Sequence, residues 1–199
     1  MAGNDEQYAA QYSDDEKVQG WVGKVEDIAK QLSADFEPFD DEEEQKHIKG
    51  PGLYVVFYKG HDMDEDGIAE PMTGEGNVWH DLSEDDDTTR YIQDPIEEQY
   101  DEWEEAAYDD GAIVVFMNGK LHPYMMNLYT PPEDVRDEVN YQNKDGGTRH
   151  TSAAQNSARD EILTAITLSE ERGDVTVFED GEAEEYVREE FADDHDILA

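Results

Sequence analysis

Cysteine is absent from the 199 residues, which excludes disulfides, thiolate metal sites and cysteine nucleophiles. Long apolar runs are absent too. The longest, Leu53–Tyr58 and Ala112–Met117, have six residues each, against the roughly 20 needed to cross a bilayer as a helix. Positive charge is scarce: 14 Lys+Arg face 54 Asp+Glu, for a formal net charge of −40. A field of that sign repels phosphate backbones and anionic lipid, so neither nucleic acid nor membrane is expected as a partner. Met1–Asp15 lacks the basic, apolar and small-residue order of a secretory signal, and a cytoplasmic location is expected.

What is present argues for a folded domain. Low hydrophobicity with high net charge signals disorder. Here, however, 36% of the residues are hydrophobic and 10% aromatic, and they fall in ordered runs. An acidic skin over an ordinary core is the composition of a halophilic protein, because concentrated salt screens the self-repulsion. The length suits one domain with a real core.

From Asp14 to Leu32, the residues Val18, Trp21, Val22, Val25, Ile28, Ala29 and Leu32 recur at steps of three and four. This predicts an amphipathic helix with Ser13 as its N-cap. Phe36–Gln45 reads as an acidic connector, and Gly50-Pro51-Gly52 as a turn before a buried strand, Leu53–Tyr58. Residues 61–90 read as a long loop. A second helix is expected after Asp94, with Pro95 in its first turn and Ile96, Tyr100, Trp103 and Ala107 facing inward. The strand Ile113–Met117 and the turn Asn118-Gly119 predict a hairpin returning through Leu121, Tyr124 and Met126. Beyond Pro131-Pro132 the pattern predicts helices Glu133–Tyr141 and Ser152–Leu163 and strands Ala165–Ser169 and Val175–Phe178. A last acidic helix, Glu182–Phe191, is expected after Asp180-Gly181.

The fold class is α/β, a single domain with a central mixed β-sheet flanked by helices. Residues 1–45 are expected to form an amino-terminal acidic segment with one amphipathic helix, 46–192 the folded domain, and 193–199 a tail.

Local departures from the global charge carry more information than the total. Gly111–Pro132 holds no acid, and Lys144–Arg159 holds only Asp145 against Lys144, Arg149 and Arg159. Burial accounts for an uncharged strand such as Ile113–Met117. It accounts poorly for the polar, glycine-containing stretch from Lys144. Gly146-Gly147 feeding a helix N-terminus, with Thr148 and Arg149 beside it, suits an anion: backbone N–H groups and the helix dipole meet it, and the guanidinium grips it.

Three segments, Asp110-Gly111-Ala112 before Ile-Val-Val, Gly147-Thr148-Arg149-His150, and Ser169-Glu170-Glu171-Arg172-Gly173-Asp174-Val175, resemble the diadenylate cyclase domain family in order and spacing. The clear match runs from about Tyr108 to Gly181, with a weaker echo at Gly50–Tyr58, and the acidic composition suggests a member of haloarchaeal type. The resemblance implies condensation of two ATP into cyclic di-AMP with release of two pyrophosphates. It also implies a divalent metal (Mn²⁺ or Mg²⁺) and a homodimer or larger homo-oligomer whose ATP sites face each other.

By the same resemblance, Asp110 acts at the 3′-hydroxyl and holds the metal, with Arg149 and His150 as its catalytic companions. Gly111, Ala112 and Leu128 lie near ribose and adenine. Gly147, Thr148, Arg149, His150 and Ser152 grip phosphate, and Ser169, Glu170 and Glu171 complete the nucleotide site. The third position of the family's R-H-R is Thr151 here, so one phosphate-binding cation is missing and its work falls to Lys144 or Arg159 if it is done at all. The alternative function is therefore a nucleotide-binding sensor with weak or no catalysis.

Asp62-Met63-Asp64-Glu65-Asp66-Gly67 imitates the start of a calcium-binding EF-hand loop, but its twelfth position is Thr73 rather than a bidentate Glu. His61, His80 and His122 have no zinc-site spacing. Neither G-x-x-x-x-G-K-[ST], G-x-G-x-x-G nor G-x-S-x-G occurs, which removes the P-loop, Rossmann and hydrolase-elbow readings.

Overall fold

Leu53–Tyr58 (β1) is apolar at every position because both of its faces are covered. Leu53, Val55 and Phe57 point into one core cluster, and Tyr54, Val56 and Tyr58 into a second on the opposite face. The structure is a computed structural model and describes residues 16–36, 50–72, 91–92, 95–141, 147–192 and 197–198.

The remaining elements, in chain order, are α1 (Glu16–Asp35) ahead of β1, then β2 (Ala69–Pro71), a 3₁₀ turn (Ile96–Gln99) running into α2 (Tyr100–Ala106), β3 (Ile113–Phe116), β4 (Met126–Leu128), α3 (Glu133–Arg136), α4 (Thr148–Ser157), β5 (Ile162–Leu168), β6 (Val175–Glu179) and β7 (Glu182–Tyr186). A final 3₁₀ turn spans Arg188–Glu190. The main sheet has the order β3-β1-β5-β6-β7, with β1 and β3 parallel and the other neighbours antiparallel. β2 and β4 form a separate antiparallel pair. This is the mixed-sheet α/β architecture expected from the pattern.

α1 covers one face. Its Val18, Val22, Val25, Ile28, Ala29 and Leu32 are buried, following the predicted stripe, and join Leu163, Ile166 and Val175 of the sheet. Each of the valine, isoleucine and leucine side chains contributes roughly 1.5–3 kcal/mol when fully buried. α4 covers the other face through Ala153 and Ala154, whose small side chains let the helix lie close to Val56, Ala165 and Phe178. Ser13 lies outside the described residues, as does most of the Phe36–Gln45 connector.

Five expectations need correction. Glu182–Tyr186 is a strand, not the start of a helix. Asp180 and Gly181 both take positive φ (50° and 75°), the two-residue turn that folds a strand back on its neighbour, and Glu179 pairs with Glu182. As the outermost strand, β7 exposes both faces, so its glutamates bear no burial cost. The helix expected over Ser152–Leu163 runs instead from Thr148 to Ser157. Gly147 caps it in extended conformation, and a turn at Arg159 (Ile162 N–H to Arg159 O, 3.0 Å) releases Ile162 and Leu163 into β5. Glu133–Tyr141 is helical only to Arg136. The hairpin after β3 is partial: Asn118-Gly119 turns the chain and Leu121 bridges Val115, but Met126–Leu128 takes β2 as its strand partner. Within the expected loop 61–90, Ala69–Pro71 is therefore a strand, while 73–90 lie outside the described residues.

Candidate active site

Three chain segments converge at one end of the sheet. The first leaves α2 through a turn (Asp109 N–H to Ala106 O, 3.2 Å) and enters β3 through Gly111 at φ 103°. A Cβ at Gly111 would overlap Met72 Sδ and lie 3.1 Å from Met125 Cβ, so only glycine fits. The turn leaves the Asp110 carboxylate projecting, 90% exposed.

The second segment is the start of α4. The N–H groups of Thr148, Arg149 and His150 precede the first intrahelical bond (Thr151 N–H to Gly147 O, 3.3 Å), and the first turn contains no acid. It therefore presents free donors and the positive end of the helix dipole. The third is the Ser169–Asp174 loop between β5 and β6. It is closed by Ser169 N–H to Asp174 O, Gly173 N–H to Ser169 O (both 2.9 Å) and Arg172 N–H to the Ser169 hydroxyl (3.2 Å).

Arg149 joins the three. Its Nη1 is ion-paired with Glu170 Oε1, and its Nη2 donates to the Asp109 carbonyl (2.9 Å) and to Asp110 Oδ1 (3.4 Å). With Gly147, Thr148, His150, Leu168, Ser169, Glu170 and Glu171, Arg149 and Asp110 line a cleft of about 350 Å³.

His150 is 3% exposed, and its ring meets Phe178 edge to face with centroids 6.2 Å apart. Among the described residues its Nε2 has no hydrogen-bond partner. Burial lowers its pKa, reinforced by the positive charges of Arg172 and Arg149 and opposed by Asp174, so the imidazole is neutral at neutral pH.

Of the residues singled out in the sequence, the cleft thus brings together Asp110, Gly147, Thr148, Arg149, His150, Ser169, Glu170 and Glu171. Four do not line it. Gly111 packs against methionines, and Ala112 is buried and bridged to Met126. Leu128 sits on β4 opposite Ala69, and the Ser152 hydroxyl faces β1, 3.4 Å from the Tyr54 hydroxyl. Arg159 cannot replace the cation missing at Thr151. It lies beyond the far end of α4, about 15 Å along the helix from Thr148, and donates to Asn156 Oδ1 (2.9 Å) and the Tyr129 carbonyl (3.3 Å). Lys144 lies outside the described residues.

Two contributors were not singled out in the sequence: the carbonyl of Asp109, and Gly52, whose neighbourhood admits no side chain beside Arg149 and Glu170. The turn sequence Gly50-Pro51-Gly52 and the weaker echo at Gly50–Tyr58 were the signals that reached the second.

The charged lining comprises Arg149 against Asp110, Glu170 and Glu171, or 1 − 3 = −2 at neutral pH. A polyphosphate entering it needs compensating charge. Among the described residues no group of three or more His, Asp or Glu is placed to hold an ion unaided. One projecting carboxylate beside a helix N-terminus does fit Mg²⁺ or Mn²⁺, which take one or two carboxylates and complete their shell with water and substrate phosphate.

Residues 90–183 match the model of the DAC family, described as DisA bacterial checkpoint controller nucleotide-binding. That span contains all three converging segments, and the family it names is the one read from the motifs. No curated protein matches the chain. Among solved structures, a double-mutant DacA from Staphylococcus aureus aligns with a TM-score of 0.48 at 19% identity, covering 90% of this chain and 93% of that one. A hypothetical membrane spanning protein from Bacillus cereus aligns with a TM-score of 0.50 at 15% identity, over 82% of this chain and 62% of that one. The second likeness is one of fold. Among the described residues of this chain, no helix is long and apolar enough to cross a membrane.

Proposed function

We propose that the protein is a diadenylate cyclase that condenses two ATP into cyclic di-AMP and releases two pyrophosphates. Residues 46–192 are its catalytic unit, with 1–45 and 193–199 flanking it, and it works in a salt-rich cytoplasm. The observation that carries this reading is the convergence of Asp110, the α4 N-terminus with Arg149 and His150, and Ser169–Glu171 on one cleft.

The free amides of Thr148, Arg149 and His150 and the Arg149 guanidinium hold the phosphates of one ATP at the helix end. Asp110, exposed at the cleft mouth, accepts the proton of the attacking 3′-hydroxyl. The 3′-oxygen forms the new bond to the α-phosphorus while the α–β bridging bond breaks in line, and the electron pair leaves on pyrophosphate. Each ATP is attacked once, so a second copy must present its own cleft opposite, and a homodimer is the smallest competent unit. Asp110 would hold a divalent cation, which would supply neutralisation of phosphate charge and polarisation of the reacting centre.

The test is incubation of the purified protein in molar KCl with ATP and Mn²⁺ or Mg²⁺. Cyclic di-AMP and two equivalents of pyrophosphate are expected, and their absence under both metals sinks the assignment. A second reading, a nucleotide sensor, is favoured by Thr151 together with the distance of Arg159 from the cleft. It predicts binding of ATP or cyclic di-AMP with no pyrophosphate released.

A further inference from the structure

The geometry assigns Gly52 as the positioning residue that keeps the Arg149 guanidinium in its working orientation, an inference that rests on reading the cleft as a nucleotide site. The Arg149 guanidinium lies against Gly52 of the Gly50–Gly52 turn. A Cβ built on Gly52 would overlap Arg149 Nη1 and Glu170 Cγ and lie 2.9 Å from Glu170 Oε1. The missing side chain at Gly52 is thus the space in which the Arg149–Glu170 ion pair forms.

The backbone fixes that space from both sides. Gly52 N–H donates to the Ala107 carbonyl at 2.8 Å, at the end of α2 just before Asp109 and Asp110. Gly50 N–H donates to the Glu170 carbonyl at 3.0 Å. One short turn therefore holds the Asp110 segment and the Glu170 loop at a set separation, and the guanidinium spans the gap between them.

The glycine is not demanded by backbone conformation, since Gly52 lies outside the positive-φ region. The atoms that an added methyl group meets belong to side chains, with the tip of Arg149 foremost. Conformationally, alanine is admissible at this position, and the conflict falls on the ion pair. The predicted signature is a substitution that spares the fold and spoils the arginine.

Gly52→Ala is compared with wild type in molar KCl by thermal melting, by ATP binding with Mg²⁺, and by the ¹⁵N–¹H resonance of Arg149 Nε, assigned by its loss in Arg149→Lys. The expected result is a melting temperature within about 2 °C of wild type, an Arg149 resonance moved to the position of a free arginine, and ATP affinity reduced at least tenfold. The Gly52→Ala/Arg149→Ala double variant should bind no more weakly than Arg149→Ala.

An unmoved Arg149 resonance in folded Gly52→Ala overturns the proposal whatever happens to ATP. A moved resonance, with ATP bound equally by wild type, Gly52→Ala and Arg149→Ala, upholds the positioning role and overturns the nucleotide reading instead. If Gly52→Ala fails to fold, removing both obstructing side chains in Gly52→Ala/Arg149→Ala/Glu170→Ala should restore folding. Failure of that rescue places the conflict elsewhere and refutes the assignment.

Discussion

The Ser33 hydroxyl donates to the Gly173 carbonyl at 2.6 Å, tying the last turn of α1 to the loop that carries Glu170, 140 positions along the chain. Arg188 reinforces the tie, with Nε on the Ser33 carbonyl (3.1 Å) and Nη2 on the Phe36 carbonyl (2.8 Å). Ser33 is 1% exposed, so its removal leaves the Gly173 carbonyl short of a buried partner. Ser33→Ala is expected to cost about 1–2 kcal/mol, read as a lower midpoint in chemical denaturation.

Arg149→Lys keeps the charge and loses the fork. A single ammonium cannot span Glu170 and the Asp109 carbonyl while also facing a phosphate. ATP affinity should fall about tenfold or more, or roughly 1.4 kcal/mol for each factor of ten, as measured by calorimetry.

Asp110→Asn should separate chemistry from stability. With its side chain 90% exposed and a 3.4 Å contact to Arg149, the carboxylate contributes little to folding, and the unfolding free energy should change by no more than about 0.5 kcal/mol. Synthesis of cyclic di-AMP should be lost while ATP still binds. Full activity in this variant would falsify the cyclase reading.

Stability should fall as pH drops through the window just below about 6.5, the ordinary histidine value. Burial lowers the pKa of His150, as do the charges of Arg172 and Arg149, so the unfolded chain takes up the proton first and is favoured as pH falls. Above that window both states are neutral and the full stability is present. His122, also lowered by burial, adds a second share. The urea midpoint of wild type should decline between pH 7.5 and 6, and the His150→Asn/His122→Asn variant should show a flatter profile.

Removing divalent metal with EDTA should weaken ATP binding more than AMP binding. The cleft lining sums to −2, so the penalty grows with the number of phosphates brought into it. Equal weakening of both nucleotides would show that the cation serves elsewhere.

The parts of this molecule legible in its sequence are those where one physical demand dominates. β1 reads as a buried strand because all six positions answer to burial on two faces, and α1 reads as a helix because its stripe faces one sheet. Glu182–Tyr186 was illegible as a strand because an exposed outer strand has no burial period to display. The α4–β5 boundary blurred because Thr164 and Thr167, polar in the sequence, are buried in β5 beside Ile162 and Leu163. In the site, motif order pointed to Asp110, Arg149 and Glu170 as separate stations along the chain, while their meeting on one guanidinium appears only in three dimensions. Gly52 lies inside the Gly50–Tyr58 echo of the resemblance but was not singled out as a site residue, since its contribution is the volume it leaves to residues far along the chain.

The glutamates of β7 also bear on whether this sheet can grow into a fibre. β7 is the outer strand of its sheet, with Glu182, Glu184 and Glu185 exposed, so a second copy adding its own β7 there would stack carboxylate on carboxylate. In dilute buffer that repulsion guards the edge. At about 1 M salt the screening length shrinks to roughly 3 Å, less than the ~4.8 Å between neighbouring strands, and the guard is largely dissolved. What then limits fibre growth in brine is the shortness of the strand, five residues closed by the Arg188–Glu190 turn.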